Sequence, residues 1–340
     1  MKKKKKSGGK PKTKSQRRAL KLGIVLVLLL GLWGVVGEWF VHHPRKWLDR
    51  KYATYPKFVT VPLFFLGNPL GDLTDALGWT GHDAVYEYDT EAPSGSVAFA
   101  GYPRRVREPE PSDLRVLSRG EFTIGWSDSL KHPLWVAYHV VKKAKHAYDG
   151  KRPNFSRDRY VPAAPTPGDY AKSGYDRGHM APNFAMVTRY GEETQKKTFL
   201  MSNIAPQTPS LNRGPWRDVE HRIAELWTAR YGEIWVVAGA VPSSSGRKTP
   251  SGIDIPDAYY QIVITQENMD VRALAVLLDQ HIPYRAYPAR HLITIDELEE
   301  LTGLDFNPEL PSFIQSPLES ELPSRLWPIR AQDVLKLFFK

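Results

Sequence analysis

Cysteine is absent from all 340 residues. That excludes disulfides and thiolate metal sites and leaves stability to packing alone. It does not fix the compartment, because many exported proteins also lack disulfides. Internal repeats are missing too, which excludes solenoid and propeller architectures. A phosphate-binding P-loop is not present either. The nearest stretch, Ser243-Ser244-Ser245-Gly246-Arg247-Lys248-Thr249 within 239–249, has the wrong glycine spacing and an intervening Arg, so it reads as a flexible surface loop. No Ser lies in a nucleophile elbow, which argues against a triad of Ser173, His179 and Asp176. Long apolar runs are confined to one place, Leu22 to Gly37, sixteen residues without a charge.

Acidic residues are missing from the first 21 positions, which hold eleven Lys or Arg. Removing those eleven from the 47 basic residues leaves 36 against 37 acidic, so the net charge of +10 belongs to the tail. Binding of a polyanion by the rest of the chain must therefore rest on a local patch rather than on overall charge. The tail leads into 22–41, long enough for a bilayer span of about 20 residues if Glu38 lies at the exit. Trp39 and Phe40 suit the interface. A retained signal-anchor is expected rather than a cleaved signal peptide, although Val35-Val36-Gly37 offers small residues at a cut site. The lysines keep the N-terminus cytoplasmic and place residues 42 onward on the periplasmic or extracytoplasmic side.

The expected organisation is a basic cytoplasmic tail (1–21), a transmembrane signal-anchor (22–41), a linker or accessory region (42–113), a catalytic domain (114–315) and a C-terminal extension (316–340). Hydrophobic residues at 41% are ample for a packed core. Residues 42–113 show no sustained periodicity, and His42-His43 there reads as interfacial rather than metal-binding. Phe122 to Trp126 and Leu134 to Val141 read as neighbouring strands, Ile234 to Ala238 as a buried strand, and Tyr259 to Thr265 and Val271 to Leu278 as two more. Thr294 with Glu297 forms a capping box ahead of a helix that stops at Gly303. Pro-rich residues 308–328 and an amphipathic stretch from Ala331 to Lys340 follow.

The chemistry-bearing side chains concentrate between 176 and 220. Asp176-Arg177-Gly178-His179 is followed by Asn183, Asn203, Asn212, Arg213 and Glu220. His moves protons near neutral pH, an Arg fork suits a phosphate, and an Asn carbonyl is a hard neutral oxygen acceptable to Mg²⁺. These are the parts needed to hydrolyse a phosphodiester. Pro215 fits the first position of a helix whose stripe is Trp216, Val219, Ile223, Leu226 and Trp227, with Gly232 as its stop. Asn212 is therefore expected on the loop ahead of that helix, with Glu220 bordering its buried stripe. Asp176 is read as either orienting the site or anchoring its loop through backbone hydrogen bonds, with the second favoured. Asn183 and Asn203 suit turn or strand-end roles as well as ligand contact. Arg213 suits phosphate contact or plain exposure.

The DRGH run, the Asn ahead of a helix and the Glu eight residues beyond it resemble the DNA/RNA non-specific endonuclease family, which includes secreted sugar-non-specific nucleases of bacteria and mitochondrial endonuclease G. Trp135 to His139, Pro256 to Tyr260 and Thr294 to Leu304 extend the resemblance over roughly 114–315. It implies an α+β fold, a mixed or antiparallel sheet core carrying a ββα-metal (His-Me finger) active site, here preceded by one transmembrane helix. It also implies His179 as general base, Asn212 as the single protein ligand to Mg²⁺ or Mn²⁺, and Glu220 as holder of metal-bound waters. Arg177 and Asn203 would contact phosphate or support the site. The family's transition-state Arg precedes an Asn-aromatic pair; Pro153 stands at that position, leaving Arg152 first and Arg157 second. Asn154-Phe155-Ser156 is also a formal glycosylation acceptor, a triplet common by chance.

The resulting expectation is a Mg-dependent endonuclease that cleaves DNA and RNA with little sequence preference and leaves 5′-phosphates. His179 activates water, and a metal-bound water protonates the leaving group. Alternatives are a small-nucleotide phosphodiesterase and a membrane-tethered nucleic-acid-binding protein with a vestigial site. Homodimerisation is left open.

Overall fold

The computed structural model describes residues 86–87, 97–106, 113–330 apart from 146, 149, 268 and 269, and Asp333. The expected tail, signal-anchor, His42-His43 and the stretch 334–340 lie outside the described residues. Among the described residues, no helix is long and apolar enough to cross a membrane.

An antiparallel sheet forms the middle layer. Its strands are β1 (Tyr86–Glu87), β3 (Leu114–Ser118), β4 (Phe122–Ser127), β5 (His132–Val140), β8 (Ile234–Val241), β9 (Ala258–Glu267), β10 (Asp270–Asp279) and β11 (Leu292–Ile293), in the order β1-β10-β9-β8-β5-β4-β3 with β11 also on β10. A short pair, β2 (Arg104–Arg105) with β12 (Leu304–Asp305), lies apart from it. Every residue of β4 and β5 is buried, which identifies strands covered on both faces. Alternation then sorts the side chains. Val136, Tyr138 and Val140 enter one core with Trp216, Ile223 and Trp227, while Trp135 and Ala137 enter the other with Phe99, Leu298 and Ile314.

A separate antiparallel ribbon, β6 (Asp176–His179) with β7 (Ile204–Gln207), carries the DRGH run. Between its strands come α1 (Asn183–Tyr190) and α2 (Glu192–Thr198). The ribbon is pinned from below. Tyr259 Oη and Gln280 Nε2 both donate to the Pro206 carbonyl, at 2.6 and 2.8 Å. After β7, Thr208 caps α3 (Pro209–Arg213), with Pro209 at its first position. Asn212 therefore sits inside a one-turn helix, not on an irregular loop: Thr208 and Pro209 together start a turn that the apolar pattern of the following helix does not reveal.

Gly214 separates α3 from α4, which starts at Pro215 as expected (Pro215–His221), continues through a π-helical segment (Arg222–Trp227) and finishes as Thr228–Tyr231. Both the N–H and the hydroxyl of Thr228 reach the Ile223 carbonyl, which closes the wide turn. Gly232, at φ 88°, ends the helix.

The capping box at Thr294 and Glu297 opens α5 (Ile295–Thr302) and Gly303 ends it. The Pro-rich stretch holds a helix that its prolines conceal, α6 (Ser312–Ser320), with Pro317 inside. Its Ile314 and Leu318 are buried against the sheet, and Trp327 packs on Trp227 at 5.5 Å. Val97 to Ala100 are buried as well. The packed body thus takes in residues on both sides of 114–315.

Candidate active site

Strand alternation divides β6 between two environments. Arg177 and His179 share one side, where the surroundings are aromatic. The His179 ring lies 5.3 Å from Phe155 and 4.8 Å, edge to face, from Phe199. The Arg177 guanidinium sits 4.6 Å over Phe155, and that of Arg152 4.9 Å over Phe199. Only 9% of His179 is exposed, and its Nε2 is buried with no hydrogen-bond partner among the described residues. Burial first, and then the Arg152 charge, push its pKa down to about 3, so the imidazole is neutral at physiological pH. A neutral ring retains the lone pair that a general base requires.

Asp176 and Gly178 occupy the other side. Asp176 Oδ2 accepts from Asn212 Nδ2 at 2.9 Å and from Arg213 Nε at 2.8 Å, while Oδ1 accepts from Arg213 Nη2 at 2.7 Å. Burial raises the Asp176 pKa, but the bonds from Arg213 and Asn212 and the charges of Arg213 and Arg177 outweigh it and hold the carboxyl below its ordinary range. Asp176 thus acts through side chains, not as the backbone anchor favoured from sequence. The same contacts hold Arg213: Nε and Nη2 bond to Asp176 while the side chain stays 62% exposed, in keeping with the plain-exposure reading.

Asn203 is fully buried and committed to the backbone. Its Oδ1 accepts from Ala181 N at 2.9 Å, and its Nδ2 donates to the Ala181 and Thr198 carbonyls, both at 3.0 Å. It holds the chain leaving His179. Asn183 opens α1. Glu220 lies on α4, half-buried, and its charge raises the pKa of the buried Tyr138 phenol after burial itself. Arg152 stands next to His179; Arg157 instead donates to the Pro162 carbonyl at 2.9 Å. The 243–249 loop is tied down: Ser244 N and Oγ and Arg247 Nη2 all donate to Asp257, at 2.7–2.8 Å.

Sequence reading missed Gln207, Phe155 and Phe199. Gln207 is fully buried, neither of its amide atoms has a partner among the described residues, and its side chain lies against Gly178, where a Cβ would overlap it. That contact gives the glycine of DRGH its reason, and Gln207 lies opposite Asp176 in the ribbon. The only available signal for Phe155 was the Asn-aromatic pair after Arg152.

A divalent cation is compatible with these donors. Asn212 Nδ2 is fixed on Asp176, which orients its Oδ1, a hard neutral oxygen that accepts no hydrogen bond from a described residue. The group of three carboxylates close enough to share an ion, Asp296, Glu299 and Glu319, lies elsewhere, on α5 and α6, which pack against the opposite face of the sheet.

The sequence profile of the DNA/RNA non-specific endonuclease family matches residues 104–313. The chain belongs to that family. It is a nuclease, a phosphodiester hydrolase. A nuclease of Nostoc sp. is 30% identical over 227 residues, covering 62% of this chain and 79% of the relative, and the nuclease of Serratia marcescens is 30% identical over 214 residues, covering 60% and 79%. The mitochondrial nuclease EXOG of Mus musculus is 30% identical over 206 residues, and the match spans 55% of its length. Among solved structures, one of the EndoG/EndoGI complex superposes with a TM-score of 0.56 at 21% identity, covering 66% of this chain and 96% of that one, which establishes likeness of fold. The antiparallel α+β architecture agrees with the one implied by the sequence resemblance.

Proposed function

We propose that the protein is a divalent-metal-dependent endonuclease that hydrolyses DNA and RNA with little sequence preference, using His179 as general base. The observation that carries this reading is the division of β6: one strand bears a neutral, unpartnered imidazole and, through the 2.9 Å bond from Asn212 to Asp176, also orients a free carboxamide oxygen. His179 takes a proton from water, and the resulting hydroxide attacks phosphorus as the bond to the 3′ oxygen breaks. This leaves a 5′-phosphate and a 3′-hydroxyl, the departing oxygen taking its proton from solvent. Arg177 and Arg152, planar cations beside the ring, bind the phosphate and offset the charge that builds in the transition state. Asn212 would hold the cation, Mg²⁺ or Mn²⁺, with Glu220 orienting its waters; when bound, the metal supplies Lewis-acid neutralisation of that charge.

Contacts confined to phosphate carry no sequence information, which accounts for the expected tolerance of substrate. With residues 22–41 as a signal-anchor, the nuclease would act across the membrane from the basic tail, away from the cell's own chromosome. The test is nicking of supercoiled plasmid and cleavage of RNA by the full chain, with and without EDTA, beside His179→Ala. Metal-dependent cleavage by the wild type alone supports the reading. Cleavage by His179→Ala at the wild-type rate overturns it.

A further inference from the structure

Two guanidinium–phenyl pairs flank one imidazole. Arg152 lies over Phe199 and Arg177 over Phe155, at 4.9 and 4.6 Å, and both phenyl rings also touch His179, at 4.8 and 5.3 Å. The phenyl rings touch each other at 5.0 Å. Neither arginine has an ion pair among the described residues, so the aromatic faces are the contacts that fix where these cations stand. The backbone clamps the arrangement: Ser156 N donates to the Phe199 carbonyl at 3.0 Å and Met201 N to the Ser156 carbonyl at 2.9 Å, so the segments bearing the two phenyl rings are stitched together.

We propose that Phe155 and Phe199 are positioning residues, an aromatic collar that fixes the base and the two phosphate-facing cations as a single unit. The proposal rests on the reading of His179 as the base. A guanidinium over a ring face is held by the ring quadrupole without giving up its charge or its N–H donors. A carboxylate in that place would hold the arginines equally well, but it would neutralise them and raise the affinity of the imidazole for a proton. Phenyl rings do neither.

The charged groups about the ring bear this out. Arg152 approaches from the segment before β6 and Arg177 from β6 itself. β7 contributes Ile204 opposite His179, the following chain is held by uncharged Asn203, and Asp176 belongs to the other side of the strand. The charge acting on the imidazole is that of Arg152, and no described carboxylate offsets it there.

The experiment uses the full chain with Phe155→Leu, Phe155→Tyr and Phe199→Leu. It measures kcat and KM on a short oligonucleotide across pH, together with the NMR titration of the His179 ring, which needs no turnover. In the wild type the His179 resonance should stay that of a neutral ring down to pH 5. Phe155→Leu should lower kcat about ten- to a hundredfold with little change in KM, as expected for a misplaced group, and should move the His179 titration towards the ordinary 6.5. Phe155→Tyr, which keeps the ring face, should restore both. If Phe199→Leu fails to fold, the half-buried Phe155 pair still decides the matter. A wild-type ring titrating near 6.5, or leucine variants with unchanged kcat and titration, would overturn the collar. Full cleavage by His179→Ala would instead remove the reading beneath it.

Discussion

The two sides of β6 hold their functional groups by opposite means. On the Asp176 side the carboxylate is held by charge-assisted hydrogen bonds, taking Asn212 and two nitrogens of Arg213. On the His179 side, ring contacts surround an imidazole whose buried Nε2 bonds to no described residue. Under the proposed function Asn212 is a metal ligand and needs direction, and the bond from its Nδ2 to Asp176 supplies it. A base needs a free lone pair, and withholding partners preserves it. The unsatisfied group is the costly one, since a buried polar atom without a partner destabilises a fold by about 1–3 kcal/mol.

The contrast is broken most sharply at His179. Its replacement by Ala should lower kcat on plasmid about 10²- to 10⁴-fold, the usual contribution of a general base, while calorimetry should find the fold at least as stable. Asn212→Ala should cost on the order of 10²-fold at limiting Mg²⁺, and partial recovery in excess metal would mark it as a ligand. Asp176→Ala should act through Asn212, weakening apparent metal affinity about 10- to 100-fold, in the range found for residues that orient ligands. Both would be read from activity titrated with Mg²⁺.

Acid should separate the two sides as well. The native His179 pKa, near 3, lies below the unfolded value of about 6.5. The unfolded chain therefore binds the extra proton first, and this contribution, full above about 6.5, is lost as pH falls from there towards 3. Asp176, also lowered in the native state, loses its contribution only as pH falls through the carboxylate range. Thermal melts of the wild type and His179→Ala should accordingly move apart in favour of the variant as pH drops below about 6.5. The smallest effect is expected at Arg157, bonded to the Pro162 carbonyl. Arg157→Ala should leave cleavage within about twofold, as for an ordinary surface change, where Arg152→Ala lowers it severely.

Periodicity made the main sheet legible. The expected strands at 122–126, 134–141, 234–238, 259–265 and 271–278 coincide with β4, β5, β8, β9 and β10 to within a few residues, because buried strands are near-continuous apolar runs. Helix α6 was hidden by Pro317, a residue that ordinarily argues against a helix interior. The π-helical segment of α4 has no signature in the 3.6-residue pattern that otherwise revealed the helix. At the site, residue types with rare chemistry could be picked out along the chain, but not which atom each would spend on its neighbours. Asp176 could be read as orienting the site or as a backbone anchor, and Arg213 as a phosphate contact or simply exposed; the bonds between the two were not legible. Phe155 and Phe199 carry no chemistry of their own and acquire a role only from the ring between them.

The account is tested most directly by anomalous diffraction from crystals of the full chain holding Mn²⁺ and an uncleavable oligonucleotide. The prediction is a single metal peak about 2.0–2.2 Å from Asn212 Oδ1, the usual distance for such a small hard cation, with one phosphate lying between that metal and the His179 ring. A peak on Asp296, Glu299 and Glu319 with none at Asn212, or a phosphate on the Asp176 side with His179 sealed away from it, would contradict the account.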